Sequence, residues 1–167
     1  IMKNILLIII FIYVTSLIIF SLSFDKVEKL EINDDNKKII KKLDYRDYMG
    51  IFDIRIPDTL KIEYHVSDMH INEKVIHFDA TPRVIYIKNH KIYIFSSPII
   101  LWESPIRYII HNSPFYPMYF KIHIYDLTKD EIVRTYRFRG DLAAIYFTED
   151  YMYFKLNRQG YAKVKLE

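Results

Sequence analysis

The sequence predicts a mainly β protein, an antiparallel meander that follows one N-terminal apolar helix. The 167 residues include 30 Ile and 15 Tyr but only 4 Ala and 3 Gly, a composition that favours strands over helices. After residue 51, apolar and polar residues alternate in short stretches that polar turns separate. No helical pattern lies between consecutive strands, which disfavours a parallel βαβ arrangement.

The first 23 residues predict a membrane segment. Residues 5–22 read ILLIIIFIYVTSLIIFSL, without a single charge, and about 20 apolar residues are enough for a helix to cross a bilayer. We therefore expect residues 5–22 to have the membrane as their partner, as an uncleaved signal anchor. A cleavable signal peptide, with Ser21-Leu22-Ser23 as its cleavage site, is the alternative, and the protein would then be secreted.

Residues 24–50 form a charged neck between the membrane segment and the β domain at 51–167. The spacing of its apolar residues predicts a short amphipathic helix or a stalk. Only Lys3 precedes the span, whereas six lysines follow it by residue 42, and a literal positive-inside count would place the β domain in the cytoplasm. Long domains translocate largely regardless of charge, so we favour an extracytoplasmic β domain.

Ten strands are predicted after the neck. Asn89-His90 stands between two alternating stretches, where a two-residue hairpin turn would lie. The predicted strands are 51–56, 60–66, 74–79, 83–88, 91–96, 118–125, 131–138, 142–148, 151–156 and 160–166.

An internal repeat indicates a blade-like architecture. Shifted by sixty residues, the hairpin at 84–95 lies over 144–155 in the same hydrophobic phase. Tyr125-Asp126-Leu127 ends a strand where a Trp-Asp pair closes the third strand of a propeller blade. Residues 60–167 thus resemble blades of secreted archaeal and bacterial β-propeller proteins distantly related to WD repeats. The resemblance implies an exported or membrane-associated protein whose biochemistry is unknown.

The β domain has room for two propeller-like blades, and a small β-sandwich is the alternative fold. Two blades alone would expose long strand edges. Self-association as a homo-oligomer, or membership of a longer chain, would cover such edges.

Residues 97–117 interrupt the meander with four prolines and the sole tryptophan. Proline density excludes a central strand, and a long insertion is where a binding surface is expected. The candidate binding patch consists of Trp102, Tyr108, Phe115 and Tyr116.

A metal site is not predicted. His65, Asp68, His70 and Glu73 offer ligands within nine residues, but on one continuous strand His65 would face away from Asp68 and His70. His77 and His123 fall on strands, where we expect them to pair with polar neighbours.

Composition and motifs also exclude several functions. The absence of Cys removes thiol nucleophiles and thiolate zinc sites, and no nucleophile elbow, P-loop or dinucleotide fingerprint occurs. We predict no catalytic residues, no cofactor and no nucleic-acid partner, since the net charge is only +3. The sequence favours a membrane-anchored extracytoplasmic β module, without enzymatic activity, for protein or cell-envelope interaction. A fragment of a larger propeller enzyme, such as an exported hydrolase, is the alternative.

Overall fold

The structure is a computed structural model that describes residues 2–26, 41–44, 56–97, 119–140, 142–156 and 160–167. One helix and eleven strands lie within these residues. They are α1 (Met2–Leu22), β1 (Lys41–Asp44), β2 (Ile62–His65), β3 (Asp68–Ile71), β4 (Lys74–His77), β5 (Thr81–Lys88), β6 (Lys91–Ser97), β7 (Tyr119–Asp126), β8 (Glu131–Arg139), β9 (Leu142–Phe147), β10 (Tyr151–Leu156) and β11 (Gly160–Lys165).

Within the described residues, the strands form three antiparallel sheets. The three-stranded sheet has the order β2-β3-β4, the central sheet β5-β6-β7-β8 and the C-terminal sheet β1-β9-β10-β11. Apart from β1, neighbouring strands follow one another along the chain. The predicted mainly β, antiparallel fold is therefore confirmed.

The central sheet has buried side chains on both of its faces. One face contributes to a core cluster shared with the C-terminal sheet, in which the Phe120 ring lies 5.5 Å from that of Phe154. The other face shares a second cluster with the three-stranded sheet, including Tyr125 and Met69. Since both faces are covered, β6 and β7 are buried almost continuously rather than at alternate positions.

Two hairpins about sixty residues apart occupy different places in their sheets. Strands β5 and β6 begin the central sheet, with β5 at its edge, whereas β9 and β10 lie between β1 and β11 in the C-terminal sheet. Asn89 and His90, between β5 and β6, both have positive φ, 49° and 61°. Such φ values at both central positions are typical of a type I′ turn, so the predicted two-residue hairpin is confirmed.

The structure corrects the sequence prediction in three places. Residues 41–44, expected in a short helix or stalk, form β1 and pair with β9. Residues 68–71, expected in a connection, form β3. The strands of the described residues make three sheets, where two blades or a two-sheet sandwich were predicted. The predicted strand at 51–56 lies outside the described residues except for Ile56.

Helix α1 confirms an N-terminal helix, and its large apolar side chains are exposed. Phe11 is 72% and Leu22 80% exposed. Counting only described residues, no helix of the structure is long and apolar enough to cross a membrane.

The chain after α1 contacts the free edge of the central sheet. The Asp25 backbone N–H donates to the Arg137 carbonyl of β8 at 2.7 Å, and the Arg137 N–H donates to Asp25 Oδ2, also at 2.7 Å. Arg137 Nη1 donates to Ser23 Oγ at 3.1 Å. These bonds give polar partners to backbone groups of an edge strand.

Candidate functional site

The outward face of the three-stranded sheet gathers histidine and carboxylate side chains. Residues directly opposite in an antiparallel pair lie on the same face. Glu63 is paired with His70, and Asp68 is paired with both His65 and His77. We call these five side chains the exposed histidine face. The alternate residues Met69 and Ile71 of β3 point inward and are buried. Their packing in the core holds β3, and with it the exposed histidine face, in place.

A hairpin places His65 beside His70, so the prediction that His65 faces away from Asp68 and His70 is wrong. It applied the alternation of side chains along one continuous strand, whereas Val66 and Ser67 form a turn that reverses the chain. Since β2 and β3 run antiparallel, the turn brings His65 opposite Asp68. Glu73 lies in the following turn, outside the exposed histidine face.

One ion pair and one hydrogen bond accompany this face. Lys61 Nζ lies 2.8 Å from Glu63 Oε1, and this hydrogen bond and charge lower the pKa of Glu63. His77 Nδ1 lies 2.9 Å from Asp68 Oδ1, and the hydrogen bond lowers the pKa of Asp68. Both carboxylates are therefore held in their ionised form, which is the form that binds cations.

Three members of the face lie close enough to converge on one ion. One ligand atom from each of Glu63, His65 and His70 falls within 4.8 Å of the other two. The two imidazole rings are tilted by 46°, with their centroids 4.6 Å apart. Glu63 and His65 are exposed and His70 is half-buried, so water and ions can reach the group. Two imidazoles and one carboxylate form a ligand set that transition metals use.

A second histidine lies in a different environment, in the central sheet. His123 Nε2 is 2.9 Å from Ser96 Oγ, and its Nδ1 is 2.9 Å from Thr135 Oγ1. Ser96 is 1% and His123 7% exposed. We call these three residues the Ser96–His123–Thr135 chain. It agrees with the prediction that His123 pairs with polar neighbours.

Ser96 and His123 lie as close together as a nucleophile and its general base. Their environment, however, does not suit catalysis. Burial, and the nearby charge of Lys121, lower the pKa of His123 to about 4, well below the range suited to a general base at neutral pH. Thr135 occupies the place of the carboxylate that would stabilise an imidazolium. Ser96 is enclosed, so a substrate would have no access to its hydroxyl. We therefore interpret the Ser96–His123–Thr135 chain as a hydrogen-bond network that stabilises the fold.

Lys121 has its own partner beside this chain. Its ammonium donates to Asp79 Oδ2, and its side chain is only 11% exposed. A buried ammonium is tolerated when it is paired with a carboxylate, so the contact with Asp79 offsets the cost of burying the Lys121 side chain at the edge of the core.

The predicted binding patch stays a prediction, because Trp102, Tyr108, Phe115 and Tyr116 all lie outside the described residues. The exposed histidine face was not predicted from the sequence. The signal that could have revealed it is the Val66-Ser67 pair between two short alternating stretches, which is compatible with a two-residue turn.

Comparisons with known proteins identified no relative of this protein. No family model matches the chain, and no curated protein or solved structure matches it at a significant level.

Proposed function

We propose that residues 5–22 anchor the protein in a membrane and that its β sheets form a non-enzymatic, extracytoplasmic module for protein or cell-envelope interaction. The observation that carries this proposal is the exposure of α1. Its large described hydrophobic side chains from Ile5 to Leu22 are each at least 45% exposed. Exposed apolar surface costs roughly 25 cal/mol per Å² in water, and a bilayer removes that cost.

The sequence of the segment supports the same proposal. Residues 5–22 carry no charge, and a helix satisfies all of its internal backbone groups within hydrocarbon. Thr15 and Ser16 donate their hydroxyls to carbonyls one turn earlier, at Phe11 and Ile12, both at 2.8 Å.

The contacts after α1 support a β domain held against the membrane surface. Ser23 and Asp25 bind Arg137 within three residues of the helix end. In a membrane, β8 would therefore lie near the lipid headgroups. Arg134 lies over the ring of Tyr136, 4.5 Å from its centroid, and arginine and tyrosine are both suited to the membrane–water interface.

We also propose that the sheets are blades of a β-propeller, and the order of their strands supports this. Strands β5 to β8 follow one another in order across one four-stranded sheet, as in a blade. Asp126, at the end of the third strand, accepts hydrogen bonds from Thr128 Oγ1 at 2.6 Å and Thr128 N at 2.9 Å. An experimental structure should show the three sheets arranged around a common axis. Flat parallel layers would contradict a propeller.

Membrane extraction tests the anchor. The full chain should stay in the membrane pellet at alkaline pH, whereas Ile9→Asp/Ile12→Asp should be released, because each central Asp costs about 2.5–3.5 kcal/mol on insertion. Ile9→Leu/Ile12→Leu is the matched control and should stay in the pellet. Release of the unaltered chain would overturn the anchor.

Cysteine labelling tests the orientation. The chain has no Cys, so Glu149→Cys, at an exposed turn, introduces a single thiol. A membrane-impermeant maleimide should label it in right-side-out vesicles and not in intact inverted vesicles. The reverse result would place the sheets in the cytoplasm, as the lysine count at 26–42 implies. Lys129→Cys, in another exposed turn, should give the same result.

A further inference from the structure

The exposed histidine face carries an inference beyond membrane anchoring. Its three converging side chains come from two neighbouring strands, with Glu63 and His65 on β2 and His70 on β3. Four directly opposed residue pairs join these strands, and Met69, between Asp68 and His70, is fully buried. The backbone under the three ligands is therefore fixed by the sheet and by the core, as a binding site requires.

We propose that Glu63, His65 and His70 bind one divalent transition-metal ion, with Zn²⁺ as the best match. Zn²⁺ takes nitrogen and carboxylate ligands at about 2.0–2.2 Å, and two histidines with one glutamate are a known three-ligand set for it. Imidazole also suits Cu²⁺, Ni²⁺ and Fe²⁺. The hard cations Ca²⁺ and Mg²⁺ prefer an all-oxygen shell, which two imidazoles do not provide.

The ligand atoms must draw together on binding. Two ligand atoms of a tetrahedral Zn²⁺ lie about 3.3–3.6 Å apart when each bond is about 2.0–2.2 Å long, whereas the ligand atoms here lie within 4.8 Å of one another. Rotation of exposed side chains can supply the difference without moving the strands. Tetrahedral coordination by three protein ligands leaves one position open, which water can fill because the face is exposed.

The competing contacts of Glu63 and Asp68 leave the site available. Lys61 pairs with Glu63 through side chains that are 74% and 47% exposed, and such surface pairs contribute little because water and salt screen them. Asp68 and His77 are hydrogen-bonded to each other. His77 therefore lies on the same face without belonging to the triad, and it supplies the matched control.

Metal titration of the intact protein tests the proposal. The full chain, purified in detergent without a histidine tag, is titrated with Zn²⁺ at about pH 7.5, where imidazole is mostly neutral. We expect one ion per chain with a micromolar dissociation constant. Titration with Co²⁺ should add visible d–d absorption bands, which report the number and kind of ligands.

Single substitutions locate the ion. His65→Ala, His70→Ala and Glu63→Gln should each weaken Zn²⁺ binding by at least about tenfold, since even supporting residues of metal sites contribute that much. His77→Gln should bind within about twofold of the unaltered chain, because it contributes no ligand. Circular dichroism checks that each variant keeps its sheets, which positions outside the buried core should permit.

Three outcomes would overturn the proposal. One is the absence of saturable Zn²⁺ binding to the unaltered chain. Another is unchanged affinity in His65→Ala and His70→Ala. The third is an equal loss in His77→Gln, which would indicate diffuse binding by surface histidines rather than one site.

Discussion

His123 in the central sheet and His65 and His70 in the three-stranded sheet show how burial decides what one residue type can do. His123 is 7% exposed, and both of its ring nitrogens have a partner, Ser96 and Thr135. His65 and His70 stand on an exposed face beside a carboxylate, with their rings 4.6 Å apart. Within the described residues, neither of these two imidazoles has a hydrogen-bonding partner.

The difference lies in which face of a strand each histidine occupies. In β7 the face that carries His123 is covered by a second sheet, so its imidazole must be neutral and satisfied. In β3 the face that carries His70 has no covering sheet within the described residues, so its imidazole is accessible. The first histidine therefore contributes to stability, whereas the other two are available to an ion.

The largest expected difference is in the free energy of unfolding, between substitution of the buried histidine and substitution of a histidine on the exposed face. His123→Ala leaves a cavity and takes the partner from the buried Ser96 hydroxyl, so we expect a loss of about 3–4 kcal/mol in the free energy of unfolding. His70→Ala should change it by no more than about 0.5 kcal/mol. Urea unfolding followed by tyrosine fluorescence measures both. Equal losses would remove the distinction between the two regions.

Acid should destabilise the protein through His123. Its pKa is about 4 in the folded protein against an ordinary value of 6.5. Between these values the unfolded chain binds a proton that the folded chain does not. The contribution of His123 to the free energy of unfolding is therefore fully present above pH 6.5. Up to about 3 kcal/mol of it is lost as the pH falls to 4.

His123→Gln is the control for this pH dependence, because it keeps an amide donor and acceptor but does not titrate. Its free energy of unfolding should fall less than that of the unaltered chain between pH 6.5 and 4. Parallel curves for the two proteins would show that His123 is not the group responsible.

The charges next to His123 should move its pKa in opposite directions. Lys121 lowers this pKa and Asp79 raises it. Lys121→Met should therefore raise the pKa of His123, and Asp79→Asn should lower it. Titration of the imidazole by NMR measures the two pKa shifts. Shifts of the same sign in both variants would contradict the opposite effects of Lys121 and Asp79.

The smallest expected effect concerns His90, in the β5–β6 turn. Its φ of 61° is costly for a residue with a side chain and free of cost for glycine. His90→Gly would create the Asn-Gly pair preferred in type I′ turns. We expect a gain of about 0.5–1 kcal/mol in the free energy of unfolding, with Asn89→Ala destabilising as the opposite control. A loss in His90→Gly would show that the imidazole itself stabilises the turn.

The long strands were predictable, whereas two of the four-residue strands, β1 and β3, were not. The nine residues of β8 and the eight of β7 are enough to show a clear alternation of apolar and polar side chains. Strand β3 has only two inward residues, Met69 and Ile71, which are too few to show it. β1 is a four-residue strand in a charged segment, and its strand conformation depends on pairing with β9. The exposed histidine face was missed for the same reason, since it depends on a turn between two four-residue strands.

The sequence by itself determined the mainly β composition, the apolar N-terminal helix and the Asn89-His90 hairpin. Each of these depends on local propensity or on the period of neighbouring residues. Only the tertiary structure decided that the central sheet is covered on both faces, which makes His123 a buried residue. It also decided that β2 and β3 bring His65 beside His70. Both outcomes depend on contacts between strands and sheets, and the pattern within one strand does not specify its partners.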